Sequence, residues 1–101
     1  MSCKLVTHYT KPDSVKWFAQ VSQDNFLVLS RLGKTVRNFP GVQTLLTSFL
    51  SPTQTETVII FDTRANCDAY LVNIANDPDF QTRQAFFDAN RITTEQTIVD
   101  L

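Results

Sequence analysis

Glycine, cysteine and histidine are scarce in this sequence: two, two and one among 101 residues. Gly33 and Gly41 stand alone, so there is no glycine-rich loop to cradle a phosphate. Cys3 and Cys67 are too few for a disulfide scaffold, and a reduced, cytoplasmic chain is the simpler expectation. With His8 as the lone imidazole and no Cys-x-x-Cys spacing, no recognisable zinc site can be assembled. Asp77-Pro78-Asp79 pairs two carboxylates but lacks the glycine and terminal glutamate of a calcium loop, so no metal is expected. Neither sign of charge dominates. Nine basic against ten acidic residues leave a net charge of −1, which counts against a surface tracking nucleic-acid phosphates or anionic lipid. No apolar run approaches the roughly 20 residues that span a bilayer, and the N-terminus has no signal-peptide apolar region.

What is present is the composition of a folded domain, 43% hydrophobic and 19% charged, with eight Phe, two Tyr and one Trp. The length fits one domain spanning residues 1–101. Lys4 to Thr10 is rich in β-branched and aromatic residues and stops at Lys11-Pro12-Asp13, which reads as a strand. Apolar residues at 15, 18, 21, 26, 29, 32 and 36 then keep helical spacing. They describe either one long helix or two pieces broken near Asp24-Asn25. Asn38-Phe39-Pro40-Gly41 stops it, because Pro cannot continue a helix and Gly permits a left-handed turn.

Val42 to Leu50 and Thr57 to Thr63 read as a hairpin whose loop, Ser51-Pro52-Thr53-Gln54-Thr55, has five residues. Asn66 is placed to cap a helix from Cys67 to about Ala75, and Asp77-Pro78 to open another ending near Asn90. Glu95 to Leu101 completes the chain as a last strand.

The resulting order, β-α-β-β-α-β, defines an α+β, ferredoxin-like fold: a four-stranded antiparallel sheet with helices on one face. The strand Thr57-Val58-Ile59-Ile60-Phe61 is apolar on both faces, whereas a sheet facing solvent on one side alternates. Its second face is therefore expected to be covered, and a homodimer is the reading adopted. The RNA-recognition motif shares this order, but its third strand is basic, glycine-rich and aromatic-rich, and this one has a single aromatic and no glycine. No nucleic-acid partner is expected.

Several segments resemble the antibiotic biosynthesis monooxygenase family: Pro40-Gly41-Val42, Val58-Ile59-Ile60-Phe61-Asp62, Asp68-Ala69-Tyr70-Leu71 and Asp77-Pro78-Asp79-Phe80. The resemblance covers roughly residues 38 to 101 well, and the first strand loosely. It implies a dimeric α/β barrel, in which two ferredoxin-like subunits pair their open sheet faces. It also implies a substrate pocket between the sheet and helices of each subunit. Some members oxidise polycyclic phenols with O₂ and no cofactor; a haem-degrading branch binds haem through a helix histidine. The family's Trp at the end of the third strand and its His in the next helix fall here on Phe61 and Tyr70. Without that histidine no haem is expected, and the resemblance implies no cofactor.

His8, as the single histidine, is the natural general base near neutral pH if its side chain enters the pocket. A strand histidine is equally well satisfied by partial exposure or a backbone carbonyl. Tyr9, Trp17 and Tyr70 have polar tips on apolar bodies that suit walls for a flat aromatic ligand, or ordinary core packing. Arg64, beside Asp62, can clamp an anionic oxygen or pair with Asp68 four residues on. Phe80, Phe86 and Phe87 read as core, and Cys67 as a structural thiol. Two functions follow: a cofactor-independent monooxygenase acting on an apolar aromatic or quinol, or a non-catalytic ligand-binding or assembly module on the same dimeric barrel.

Overall fold

The computed structural model describes residues 1–101. β1 (Cys3–Thr10) is followed by a short helix α1 (Phe18–Val21) and a long one α2 (Gln23–Arg37). The hairpin β2 (Val42–Ser51) and β3 (Gln54–Phe61) leads to α3 (Arg64–Ile74), α4 (Pro78–Ala89) and β4 (Thr93–Asp100). One antiparallel sheet has the order β2-β3-β1-β4, so β1 is flanked by β3 and β4. This is the ferredoxin-like arrangement expected from the element order.

The register sorts the side chains into two faces. Leu5 lies opposite Ile59 on one side and Ile98 on the other; His8 lies opposite Glu56 and Glu95. Because successive residues of a strand point to opposite faces, Cys3, Leu5, Thr7 and Tyr9 share one face, and Lys4, Val6, His8 and Thr10 the other. The helices cover the first. Its core joins Cys3, Leu5, Ile59 and Phe61 of the sheet to Leu32 and Val36 of α2 and to Cys67, Tyr70 and Ile74 of α3. Phe61 is fully buried, its ring 5.4 Å from that of Tyr70, which Phe39 meets edge-on at 5.0 Å. A second, smaller cluster gathers Phe18, Phe87 and Ile92. The uncovered face carries Val6, Val58 and Ile60, half-buried, with Leu46 and Val99 exposed.

Local chemistry moves three boundaries from their sequence-based positions. The first helical region is two pieces, and the break falls at Ser22 rather than Asp24-Asn25. Ser22 is extended (φ −158°, ψ 161°) and its hydroxyl accepts from Asn25 N at 3.1 Å, capping α2. The hairpin turn holds only Pro52-Thr53, not five residues. Ser51 pairs with Gln54 and Phe49 with Thr55, so Ser51, Gln54 and Thr55 of the expected loop extend the ladder, leaving Thr53 and Pro52, which has no N–H to pair, in the turn. Helix α3 starts at Arg64 because Thr63, not Asn66, is its cap, accepting from Asn66 N at 3.2 Å. Asp77 behaves as read, accepting from Asp79 N and Phe80 N at 2.9 and 3.0 Å ahead of Pro78.

Gly41 joins α2 to the sheet with φ +82°, and its carbonyl accepts from Asp62 N at 2.9 Å. A Cβ there would collide with the Asp62 carboxylate and the Asn66 side chain, in a conformation that L-residues already disfavour. Gly41→Ala is expected to cost about 1–3 kcal/mol. Urea unfolding checks this, and an unchanged midpoint would refute it.

Candidate functional site

Between the sheet and the helices lies one cavity of about 650 Å³; 17 of its 26 lining residues are hydrophobic. Its floor is the helix-facing side of β1 and β3: Leu5, Thr7, Tyr9, Thr55, Thr57 and Ile59. Leu32 and Val36 of α2, Tyr70 and Ile74 of α3, and Phe80, Arg83 and Phe87 of α4 close over it. Trp17 and Phe49 stand at the rim with ring centroids 6.4 Å apart, Phe49 being 70% exposed. Lys11 Nζ lies 5.6 Å from the Trp17 ring centroid. A cavity of this size and apolarity has the dimensions of a small-molecule site.

Three of the five binding residues expected from the sequence, Tyr9, Trp17 and Tyr70, line this cavity. Phe61 does not; it is sealed in the core beside Tyr70. Arg64 lies outside it, exposed, with Nε donating to Asp68 at 3.1 Å and Nη1 3.5 Å from Asp100. His8 is on the opposite face of the sheet, its Nε2 2.8 Å from the Glu56 carboxylate. This corrects the reading of His8 as a base within the pocket. The two-residue period of β1 sends Tyr9 into the cavity and its neighbour away from it.

Arg83 was not singled out as a site residue, yet it lines the cavity. Its Nη2 donates to the Tyr9 hydroxyl at 3.2 Å. The available signal was spacing: Arg83 follows Phe80 by three residues and precedes Phe87 by four, so a cation sits on the apolar stripe of α4. Thr7 was missed as well. It is buried and accepts a hydrogen bond from Gln96 at 3.3 Å on the cavity floor.

Nothing in the cavity wall is a ready proton acceptor at neutral pH. Burial pushes the Tyr70 phenol up to about 12, so it stays protonated. The Cys67 thiol, in the core beneath, is also pushed up to about 12, first by burial and then by the neighbouring Cys3. Both cysteines are free and buried. No group of three or more His, Cys, Asp and Glu stands together to hold a metal ion, and no helix is long and apolar enough to cross a membrane.

No protein-family model matches the chain, and no curated protein matches it by sequence. Solved structures match in fold. SnoaB, a cofactor-independent oxygenase from Streptomyces nogalater, matches with a TM-score of 0.61 at 13% identity, covering 99% of this chain and 92% of that one. A structure named antibiotic biosynthesis monooxygenase matches with a TM-score of 0.64 at 13% identity, covering 100% of this chain and 98% of that one. Rv0793 from Mycobacterium tuberculosis matches with a TM-score of 0.67 at 9% identity, covering 100% and 95%. The chain has the α+β fold of antibiotic biosynthesis monooxygenases, and the resemblance carried by its short motifs extends to the whole backbone. At such identities the likeness is one of fold.

The two raised groups make stability depend on alkaline pH. In the unfolded chain Cys67 and Tyr70 lose their protons near their ordinary values of 9.0 and 10.0; in the folded chain they keep them to about 12. Between those values the folded state binds more protons, so stability falls as pH rises through the window. The denaturant midpoint is expected to decline from about pH 9 to 12, with Tyr70 contributing at most about 3 kcal/mol of the loss. Tyr70→Phe should flatten the upper part of that decline, and an unchanged slope in the variant would overturn the assignment.

Proposed function

We propose that this protein is a homodimeric, cofactor-independent oxygenase for an apolar aromatic phenol or quinol. One observation carries the reading: an apolar cavity walled by Tyr9, Trp17, Tyr70 and Phe87, within a fold shared with a cofactor-independent oxygenase. The chemistry asked of the protein is limited. An ionised phenol is electron-rich enough to reduce O₂ directly. A ring C–H is oxidised to a quinone carbonyl, with one oxygen atom retained in the product and the other leaving as water. The cavity contributes orientation and exclusion of bulk water.

The homodimer is supported by the uncovered sheet face, where Val6, Leu46, Val58, Ile60 and Val99 form an apolar surface beside the His8–Glu56 pair. Soluble monomers seldom leave such surfaces bare, and a second copy presenting the same face covers both. Light scattering is expected to give a mass near twice 11.5 kDa. Ile60→Lys, placing an unpaired charge in the interface, should shift it towards the monomer. A monomeric wild type would remove the paired-sheet reading.

A second reading, a non-catalytic ligand-binding module, is favoured by the absence of His, Asp, Glu and Lys from the cavity lining. Oxygen uptake separates the two. With a naphthol or anthracenol carrying a free ring C–H para to its hydroxyl, the oxygenase consumes one O₂ per quinone formed and releases no hydrogen peroxide, above the rate without protein, and His8→Ala leaves that rate unchanged. Ligand retained in native mass spectrometry with no oxygen uptake on any quinol tried would establish the binding module instead.

A further inference from the structure

The cavity is charged with one sign only. Its lining includes Arg37 and Arg83 but no Asp or Glu. Arg37 is exposed near the end of α2. Arg83 is half-buried, and its Nε is shut off from water with no hydrogen-bond partner. Nη2 has the neutral Tyr9 hydroxyl, and Cζ stands 5.2, 5.5 and 5.2 Å from the ring centroids of Tyr9, Phe80 and Phe87.

The contrast with exposed arginines is informative. Arg31 pairs with Asp79 at 3.0 Å and Arg64 with Asp68 at 3.1 Å, where water would have served them well. The guanidinium most withdrawn from water has no carboxylate. The faces of three aromatic rings offset part of that cost. A neutral ligand filling the cavity would remove the remaining water from Arg83 and leave its charge unpaired. A ligand bringing an anionic oxygen would neutralise it.

We infer that Arg83 is the anion anchor of the cavity, whose ligand carries one ionised oxygen, a carboxylate or a phenolate, on an apolar aromatic body. This rests on the reading that the cavity is the ligand site. The planar fork accepts a carboxylate through two N–H groups and a phenolate through one. Tyr9 accepts from Arg83, so its own proton is free to be donated to the same oxygen. With a phenol, the fixed positive charge favours the ionised form and the proton leaves to solvent. The cation thereby takes over the work of the base that the lining lacks.

Calorimetric titration of the intact protein with naphthoate and with neutral naphthamide tests the anchor. Naphthoate is expected to bind roughly 10- to 100-fold more tightly, the range of a charge-assisted hydrogen bond. Arg83→Gln should abolish the difference by weakening naphthoate and relieving the penalty on naphthamide, and Arg83→Lys should retain part of it. The ultraviolet spectrum of bound naphthol reports the phenolate arm: a phenolate spectrum at neutral pH that disappears in Arg83→Gln. Equal binding of naphthoate and naphthamide to wild type, binding of neither, or a difference that survives in Arg83→Gln would each overturn the proposal. The wild-type comparison stands even if a variant fails to fold. Charge-selective binding without oxygen uptake would sink the oxygenase reading and leave the anchor in place; oxygen uptake without charge selectivity would do the reverse.

Discussion

Strand β1 lies between two hydrogen-bonded neighbours, and its two-residue period decides what each face of the protein can do. Cys3 and Leu5 enter the core, Thr7 and Tyr9 the cavity floor, while Val6 and His8 face outward. A slip of one residue would exchange these sets, putting His8 under the helices and Tyr9 on the open face. The register is held from both sides, since Leu5 lies between Ile59 and Ile98, and Tyr9 between Thr55 and Thr94. The identity of the cavity-facing polar groups is thus settled by core packing at the other end of the same strand.

Core and cavity are also neighbours along the helices. Tyr70 packs on Phe39 and Phe61 and still lines the cavity; Phe87 packs with Phe18 and Ile92 and does the same. These walls are rigid because their other sides are filled. Only 14 of 101 residues are buried, so in a chain this small the core and the cavity wall share the same few aromatic residues. Gly41 serves the same arrangement, since it brings β2 into the sheet against the Asp62-Asn66 corner, where a side chain would not fit.

Much of the fold is legible in the sequence because its cues are local. The helical spacing before Val36, the Pro40-Gly41 stop, the Asp77-Pro78 start and the β-branched runs each act within a few residues. The errors arise where two local solutions compete. Ser22 and Asp24-Asn25 both offer breaks, and Thr63 and Asn66 both offer caps; Thr63 takes the role because its hydroxyl accepts from Asn66 N. Polar Gln54 and Thr55 look like loop until cross-strand partners Ser51 and Phe49 are present to pair with them. The site is less legible. Tyr9, Trp17 and Tyr70 can be singled out by chemistry alone, but the face of His8 depends on which side the helices cover, which no local cue in Lys4–Thr10 reports. Arg83 escapes notice because it interrupts an apolar spacing, Phe80 to Phe87, that reads as core.

The separation of the two sheet faces constrains how this molecule can change. The apolar open face and the cavity share β1 and β3 but no side chain of β1, because alternation assigns each residue to one side. Substitutions at Val6, Val58 or Ile60 therefore change the open face and leave the cavity's chemistry intact, while those at Thr7, Tyr9 or Thr57 do the opposite. Arg83 belongs wholly to the second set, yet it is held by α4, which packs on α2 rather than on the open face. A cation on a helix above a sheet can be replaced without disturbing strand register. The charge of this cavity is consequently separable from the strand register that shapes its floor.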